Sequence, residues 1–357
     1  MPYSLQLAIA AALIAWALTP AARRLALRVG AIDVPDDRRI HAAPTPRYGG
    51  LAIAAAVLGV AWLARVLPGP AAALDPRPLL GLTCASVPIL ALGLVDDRVG
   101  VPPRVKLVVQ SCAALTLTVF GYGVPLLTNP FGPPIASGLF NIPLTLAWVL
   151  VVTNAINLID GLDGLASGMV VIACAALWLA ARMHADFYVM FFAALLIGAC
   201  AGFLRWNFPP ARVFMGDTGS QFLGLTLAAV SLLENRKGTA AVTLLLPLVA
   251  LALPLADTVL AFARRLALRR PVFVGDTQHL HHQLLDAGLS VRAALFAMWA
   301  LCGVFAFLAV LLTWLPRSWS ALIVTVLAVV LLVVFEALRG SRPAPPPAEE
   351  RPSTPPR

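Results

Sequence analysis

The chain has 357 residues, of which 60% are hydrophobic and only 12% are charged, whereas soluble domains carry about 25% charged residues. Its net charge is +9, but the basic residues lie in short loops without a base-reading domain, which excludes a nucleic-acid-binding protein. The five cysteines all lie in apolar runs without a Cys-x-x-Cys pair, which argues against a disulfide or zinc framework.

Long apolar runs separated by short polar loops predict membrane-spanning helices. The runs are too long and too continuous for barrel strands. We therefore predict an all-α, polytopic helical bundle with eleven spans, or ten if the last two form a looser pair. The spans are expected near residues 3–20, 49–67, 78–94, 105–121, 143–160, 165–181, 187–204, 219–234, 241–261, 293–313 and 318–336.

The distribution of Lys and Arg predicts the orientation of the bundle. With the N-terminus outside, the loops on one side, together with the C-terminal tail, hold 20 of the 26 basic residues. Basic loops stay in the cytoplasm. We therefore assign to the cytoplasmic side the loops 21–48, 95–106, 205–218 and 262–292.

The two ends of the chain have different compositions. The first span has no basic residue before it, and Arg23 and Arg24 follow it, which favours a retained span over a cleaved signal peptide. The transmembrane domain is expected to cover residues 1–338. The Pro-rich segment 339–357 is predicted to be a disordered cytoplasmic tail.

The first cytoplasmic loop, IDVPDDRRIHAAPTPRYGGLA, is rich in basic residues. It carries Arg38, Arg39 and His41. Basic side chains beside a membrane suit an anionic lipid headgroup. Arg38 and His41 are therefore candidate substrate-binding residues.

Two adjacent acids end the third span in LGLVDDRVG. Asp96 and Asp97 alone are typical of a solvated helix end, but Lys106, one of two lysines in the chain, begins the next span. A cation that faces acids indicates either a bound phosphate or a lysine that keeps the acids from repelling one another. One of the two carboxylates is a candidate general base.

The stretch NAINLIDGLDGLA ends the fifth span and brings four polar side chains at three-residue intervals. Asn154, Asn157 and Asp160 share one helix face, which predicts a stripe that points into the bundle. Glycines on either side of Asp163 are expected to break the helix. The alternative, a capped helix end, accounts for only one or two of the four residues, whereas ionisable groups at membrane depth are usually functional.

The stretch VFMGDTGS, before the eighth span, is typical of a turn that holds a phosphate or a metal. Its glycines permit tight geometry, Thr218 and Ser220 can cap the following helix, and Asp217 would be a hard anionic ligand. An ordinary N-cap is the alternative. Carboxylates and amide oxygens without clustered Cys favour Mg²⁺ or Mn²⁺ over zinc.

Three histidines follow the ninth span in QHLHHQL, at His279, His281 and His282. The oxygen-rich surroundings argue against zinc, and the nearby arginines favour a grip on a pyrophosphate or a nucleotide, with a surface loop as the alternative. Asp257 lies about two turns inside the ninth span, where an unpaired acid is expensive. It is expected to pair with an arginine, and its role is open.

All of these clusters fall on the predicted cytoplasmic side, although the orientation rests on Lys and Arg alone. On the other side only Asp75, Asp186 and Glu234 are acidic. An ion-coupled transporter is the rival interpretation. Transporters bind near the membrane centre between broken helices, whereas these acids lie at one face.

Taken together, the motifs resemble those of the polyprenyl-phosphate N-acetylhexosamine-1-phosphate transferase family, which includes the WecA-type enzymes and MraY. The match covers roughly residues 30–285, and five motifs occur in the family's order: VPDDRRIH, DD, NxxNxxDGxDGLA, MGDxGS and HLHH. HLHH is similar to the HxHH form of the WecA-type branch, whereas MraY enzymes carry three consecutive His.

The resemblance implies a Mg²⁺-dependent reaction, with Mn²⁺ as the alternative metal, at the cytoplasmic face of a bacterial inner membrane. An N-acetylhexosamine 1-phosphate, most often that of N-acetylglucosamine, would pass from a UDP-sugar to undecaprenyl phosphate. UMP would leave, and the lipid-linked pyrophosphoryl sugar would start the synthesis of a cell-surface polysaccharide.

The resemblance also implies roles for individual residues. The catalytic carboxylates would be Asp96, Asp97, Asp160 and Asp163. The Mg²⁺ ligands would be Asp217 and Asn157, with Asn154 as a third. The phosphates would be held by Lys106, His279, His281 and His282.

Three points stay open in the sequence. Direct attack by the lipid phosphate and a two-step route through a phosphorylated aspartate need the same residues. No residue visibly selects the sugar, so a phospho-N-acetylmuramoyl-pentapeptide transferase is the alternative enzyme. A homodimer is a further prediction.

Overall fold

The computed structural model describes residues 3–34, 44–127, 135–234 and 280–315, together with the isolated residues 251, 252, 255, 319, 325 and 329. This part of the chain is mainly helical. Its helices are α1 (Tyr3–Val29), α2 (Gly49–Val66), α3 (Pro76–Val99), α4 (Pro103–Val119), α5 (Asn141–Ile159), α6 (Leu165–Met183), α7 (Phe187–Asn207), α8 (Gly216–Glu234), α9 (Leu280–Asp286) and α10 (Val291–Leu312).

The strands in the described ranges form two short antiparallel hairpins. In the first, β1 (Ile32–Asp33) pairs with β2 (Thr45–Pro46), and Ile32 lies opposite Pro46. In the second, β3 (Leu126–Leu127) pairs with β4 (Ile135–Ala136). The first hairpin connects α1 to α2, and the second connects α4 to α5.

The prediction of an all-α, polytopic membrane bundle is confirmed by the length and composition of the helices. Within the described ranges, seven helices are long and apolar enough to cross a membrane: α1, α2, α3, α5, α6, α7 and α10. Nine of the predicted spans coincide with a long helix. The predicted spans 241–261 and 318–336, with Asp257 and the tail 339–357, lie almost entirely outside the described residues.

Two helices extend well past the predicted ends of their spans. Helix α1 continues to Val29, because Ala, Leu and Arg are strong helix formers and the basic side chains face outward. Helix α3 continues to Val99, so Asp96 and Asp97 lie in its last two turns and not in a loop. The apolar runs located the spans, but helical structure does not end where apolar composition ends.

Acids at the end of the bundle opposite Asp96 and Asp97 act as helix caps. The Asp75 carboxylate accepts a hydrogen bond from the backbone N–H of Arg77 at the start of α3. The Asp186 carboxylate accepts from the N–H groups of Tyr188 and Val189 at the start of α7. Both acids therefore satisfy free N–H groups of a first helical turn.

Helix α8 forms the centre of the described bundle. Every residue from Thr218 to Leu233 is buried. Its neighbours include α2, α3, α5, α6 and α7. Helices α2, α3 and α5 contact the beginning of α8 through Gly50, Gly93 and Asn157, close to Asp217.

Small residues allow α1 and α7 to pack with their backbones in contact. A Cβ atom at Gly198 would overlap the backbone carbonyl of Ala8, and one at Gly202 would overlap that of Ala12. The two glycines are four residues apart on α7, the spacing that small residues take in close membrane-helix pairs.

We predict that Gly198→Ala destabilises the protein by about 1–3 kcal/mol, because the two backbones must move apart to admit the methyl group. Gly59→Ala is the matched control, because Gly59 also lies in a helix and a Cβ there meets nothing within 4 Å. Thermal unfolding of the detergent-solubilised variants measures both effects. Equal unfolding temperatures for the two variants would contradict the packing argument.

Candidate active site at the N-terminus of α8

A lysine lies between two carboxylates where α3, α4 and α8 meet. The Nζ atom of Lys106 is 2.5 Å from Oδ2 of Asp96 and 2.6 Å from Oδ2 of Asp217. The Asp96 side chain is 9% exposed, and those of Lys106 and Asp217 are each 23% exposed. The ammonium group therefore offsets the repulsion of two nearby acids, and the cluster is partly exposed.

The neighbouring carboxylate, Asp97, holds the first turn of α8. Its Oδ1 accepts a hydrogen bond from the backbone N–H of Asp217, at 2.8 Å. Its Oδ2 accepts from the N–H and the hydroxyl of Thr218, at 3.1 and 2.7 Å. A carboxylate from α3 thus caps the N-terminus of α8, where negative charge is favourable.

This arrangement differs from the predicted capping by Thr218 and Ser220. Helix α8 begins at Gly216, three residues before the predicted span, so both hydroxyls lie inside the helix. Thr218 donates to Asp97, and the Ser220 hydroxyl donates to the Gly216 carbonyl. The predicted caps are therefore wrong, because the helix begins earlier and Asp97 accepts the free N–H groups of its first turn.

Glycines let the helix ends approach so closely. A Cβ atom at Gly93 would overlap the backbone of Thr218, and one at Gly216 would overlap the Asp97 carboxylate. Gly216 also has a φ of +68°, which glycine adopts without strain. Larger residues at these positions would separate α3 from α8.

Helix α5 supplies amides to the same site. The Asn157 amide donates to the Ser220 hydroxyl at 2.8 Å, one turn of α8 beyond Gly216. Asn154 lies one turn deeper in the bundle and donates to Oε1 of Gln110 on α4, at 2.8 Å. The predicted stripe on α5 therefore faces α4 and α8.

Asp160 and Asp163 have different surroundings beyond the end of α5. Desolvation raises the pKa of the Asp160 carboxyl well above its usual range, and the charges of Asp217 and Asp97 raise this pKa further. Asp163 accepts a hydrogen bond from the backbone N–H of Ala211 at 2.8 Å. Asp160 thus belongs electrostatically to the acidic cluster, whereas Asp163 ties the α5–α6 turn to the loop before α8.

Asn207 reinforces this connection between the α5–α6 turn and the loop before α8 with two further bonds. The side-chain oxygen of Asn207 accepts from the N–H of Gly164 at 3.0 Å, and its nitrogen donates to the Val213 carbonyl at 3.0 Å. Gly164 has a φ of +74°. The predicted break between the fifth and sixth spans is confirmed, because α5 ends at Ile159 and α6 begins at Leu165.

The chain before α2 is hydrogen-bonded to the segment that leads into α8. The Pro46 carbonyl accepts from Phe214, and the N–H groups of Gly49 and Gly50 donate to Phe214 and Met215. Arg47 lies within this stretch, where its guanidinium is paired with Asp33 at 2.5 Å and lies 3.7 Å from Asp97. The first loop therefore contributes a cation to the rim of the site.

The described part of the histidine segment begins near the same end of the bundle. His281 and His282 lie in α9, which packs against α10. At the start of α10, Arg292 donates to the Pro209 carbonyl in the loop before α8, at 3.1 and 3.3 Å. The predicted residues His279, Arg38 and His41 lie outside the described residues.

Three further residues of the site, Arg47 and the buried glutamines Gln110 and Gln221, were not predicted from the sequence. Gln110 follows Lys106 by four residues on α4, and Gln221 follows Asp217 by four residues on α8. Residues four apart on a helix are neighbours on one face. A polar residue one turn inside each predicted site residue was therefore the available signal.

Within the described ranges, no group of three or more His, Cys, Asp or Glu side chains is arranged to hold a metal ion. The oxygen donors near Asp217 are a second carboxylate and the side chains of Asn157 and Ser220. A cation at this position would therefore complete its coordination with water or with substrate oxygens, as Mg²⁺ commonly does.

Comparison with known proteins identifies the same region. Residues 79–235 match the model for glycosyl transferase family 4. A Bacillus subtilis protein, the probable undecaprenyl-phosphate N-acetylglucosaminyl 1-phosphate transferase, is 33% identical over 90% of this chain and 88% of its own length. The Mycobacterium tuberculosis H37Rv decaprenyl-phosphate N-acetylglucosaminephosphotransferase is 35% identical over 83% of this chain and 79% of its own length.

A third relative extends the comparison to Escherichia coli K12. Its undecaprenyl-phosphate alpha-N-acetylglucosaminyl 1-phosphate transferase is 30% identical over 76% of this chain and 74% of its own length. The range matched by the family model includes all of the site residues described on α3, α4, α5 and α8.

We predict that Thr218→Val destabilises the protein by about 1 kcal/mol, because Asp97 loses a buried hydroxyl donor. Thr226→Val is the matched control on the same helix, because the Thr226 hydroxyl bonds only its own helix, at the Phe222 carbonyl. Thermal unfolding in detergent compares the two. A larger loss for Thr226→Val would contradict the capping role of Asp97.

Proposed function

Because this chain belongs to the polyprenyl-phosphate N-acetylhexosamine-1-phosphate transferase family, we propose that it transfers N-acetylglucosamine 1-phosphate from UDP-N-acetylglucosamine to undecaprenyl phosphate. UMP leaves, and a lipid-linked pyrophosphoryl sugar remains for cell-surface polysaccharide synthesis. The names of the B. subtilis and E. coli relatives support the undecaprenyl-phosphate acceptor and the transferred N-acetylglucosamine 1-phosphate. The observation that carries the proposal is the cluster of Asp96, Lys106 and Asp217 inside the range that the family model matches.

The chain is a multi-pass membrane protein, and we place it in the bacterial inner membrane with its active site at the cytoplasmic face. The excess of Lys and Arg in the loops at the site end supports this orientation. One substrate is a long polyprenol that stays in the bilayer, whereas the sugar nucleotide is soluble. A site at one end of the bundle allows the two to meet.

The residues around Asp217 fit a hard divalent cation, and Mg²⁺ is the metal we propose, with Mn²⁺ as the alternative. Asp217 and Asn157 would hold it, and the Ser220 hydroxyl bonded to Asn157 orients that amide. When bound, the cation would neutralise charge on the pyrophosphate. Asn154, the third predicted ligand, bonds Gln110 through its amide nitrogen and is connected to Asp217 only through Gln110 and Gln221.

The carboxylates divide into groups that face the reaction and groups that hold the site. Asp96 lies beside Lys106, and we assign it to orienting the lipid phosphate. Asp160 lies beside the acidic cluster at the end of α5 and is a candidate for proton transfer. Asp97 holds the first turn of α8 with both oxygens, and Asp163 holds the backbone of Ala211, which supports positioning roles for both. Asp96 also accepts a backbone N–H, that of Val101, but its other oxygen faces Lys106.

Lys106 is the described cation closest to Asp217, and we assign it to balancing phosphate charge during transfer. Phosphoryl transfer depends mostly on positioning and on electrostatic stabilisation. His279, His281 and His282 remain candidate phosphate ligands, and Arg38 and His41 remain candidate lipid-headgroup ligands. A homodimer also stays a prediction.

The two alternatives have less support. The relatives named above are N-acetylglucosamine phosphotransferases, so the phospho-N-acetylmuramoyl-pentapeptide substrate is not favoured. An ion-coupled transporter would place its acids near the membrane centre, whereas Asp96, Asp160 and Asp217 lie at helix ends.

We expect purified membranes to convert labelled UDP-N-acetylglucosamine and undecaprenyl phosphate, with Mg²⁺, into an organic-extractable labelled lipid and UMP. A panel of UDP-sugars tests the preference for N-acetylglucosamine. Uptake of label into sealed vesicles without a lipid product would instead support the transporter.

We predict that Asp217→Asn lowers kcat by about 10²–10³-fold, because a neutral amide holds the proposed cation more weakly than a carboxylate does. Asp75→Asn is the matched control, since it removes a carboxylate at the opposite end of the bundle and Asn caps a helix equally well. The lipid-product assay compares their rates at equal protein levels. Wild-type turnover by Asp217→Asn would remove Asp217 from the site.

A further inference from the structure

Three amides, of which Gln110 and Gln221 are buried and Asn154 is partly buried, connect the interior of the bundle to Asp217. The Asn154 amide on α5 donates to Oε1 of Gln110 on α4, at 2.8 Å. The Gln110 amide donates to Oε1 of Gln221 on α8, at 3.4 Å, and the Gln221 amide donates to Oδ2 of Asp217, at 3.2 Å. The chain of bonds thus passes through three helices and ends on the carboxylate.

The donor and acceptor of each hydrogen bond in this chain of amides follow from the Asp217 carboxylate at its end. An ionised carboxylate only accepts hydrogen bonds, so Gln221 must present its nitrogen to Asp217. Its oxygen then faces Gln110, whose nitrogen must point to Gln221. By the same reasoning the Gln110 oxygen faces the Asn154 nitrogen.

The inner end of the chain requires the same direction. The Asn154 nitrogen also donates to the Leu150 backbone carbonyl at 2.8 Å, and a carbonyl only accepts. Asn154 therefore has its nitrogen on this side whichever end is considered. Reversal of any one amide would place two acceptors or two donors face to face.

Burial makes these bonds costly to leave unmade. Gln110 is 2% exposed and Gln221 is 0% exposed. An unsatisfied polar group in such a position costs much of its desolvation energy. Amides at membrane depth are therefore retained for a specific bond and not for packing alone.

The chain of amides affects the Asp217 carboxylate of the proposed active site. Oδ2 of Asp217 receives donors from two sides, Lys106 at 2.6 Å and Gln221 at 3.2 Å. Two donors on one oxygen restrict rotation of the carboxylate. This rotation decides where the other oxygen points.

We propose that Gln110 and Gln221 are positioning residues, which together with Asn154 form a one-way chain of amides that fixes the orientation of the Asp217 carboxylate for sugar-phosphate transfer. This inference rests on the proposed function for its catalytic consequence. The chain itself rests on the contacts alone. Neither glutamine needs to touch a substrate.

The test uses Gln110→Met and Gln221→Met, singly and together, in the full-length protein. Methionine keeps the length of the side chain but removes the amide. We expect each single variant to lower kcat about tenfold, the value of one hydrogen bond to a charged group, with the KM for UDP-N-acetylglucosamine changed less than about twofold. The double variant should lose about tenfold and not about hundredfold, because both residues act through the same bond.

Thermal unfolding of the same proteins gives a readout that does not depend on activity. The destabilisation in the double variant should be smaller than the combined effect of the single variants. Thr226→Val is the control for a buried polar residue of α8 outside the chain of amides, and it should keep the wild-type kcat.

Each other outcome has a definite meaning. Losses of kcat that multiply in the double variant would contradict the proposal that Gln110 acts through Gln221. A lower kcat in Gln221→Met with an unchanged kcat in Gln110→Met would contradict it as well. Coupled losses of stability with unchanged kcat would overturn the positioning role. A wild-type protein that makes no lipid product from any UDP-sugar would overturn the proposed function, while the stability measurements would still decide whether the amides are coupled.

Discussion

The cap that Asp97 places on the first turn of α8 is the interaction on which the rest of the site depends. Three donors from residues 217 and 218 converge on this one carboxylate. They join α3 to the central helix and fix the backbone from which Asp217 projects. Without Asp97 the N–H groups of Asp217 and Thr218 would lose their acceptor in the first turn of a helix whose later residues are buried.

The remaining contacts place charge around that fixed turn. Lys106 is paired with both Asp96 and Asp217, and the guanidinium of Arg47, from the first loop, lies near the Asp97 carboxylate. Two anionic substrates repel each other, so transfer between them requires cations held in fixed places. The acids at the opposite end of the bundle, Asp75 and Asp186, cap their own helices. Among the described residues, the chemistry is thus concentrated at the end where α8 begins.

The sequence predicted much of the fold, because the length and spacing of apolar runs are local properties. It also located Asp96, Lys106 and Asp217, because charged residues at helix ends are unusual in an apolar chain. It could not separate the roles of Asp96 and Asp97. Successive residues of a helix point about 100° apart, and which of them faces α8 depends on packing. The contacts of Gln110 and Gln221 likewise require knowledge of which helices are neighbours.

The backbone hydrogen bonds between the segment before α2 and the segment before α8 determine where insertions and deletions can be tolerated. The pairing of Asp33 with Thr45 closes a hairpin, and the bonds from Pro46, Gly49 and Gly50 to Phe214 and Met215 begin directly after it. Extra residues between Asp33 and Thr45 would lengthen the hairpin and leave these hydrogen bonds in register. A single residue inserted between Pro46 and Gly49 would shift the bonds of Gly49 and Gly50 by one position and displace the turn that carries Asp217.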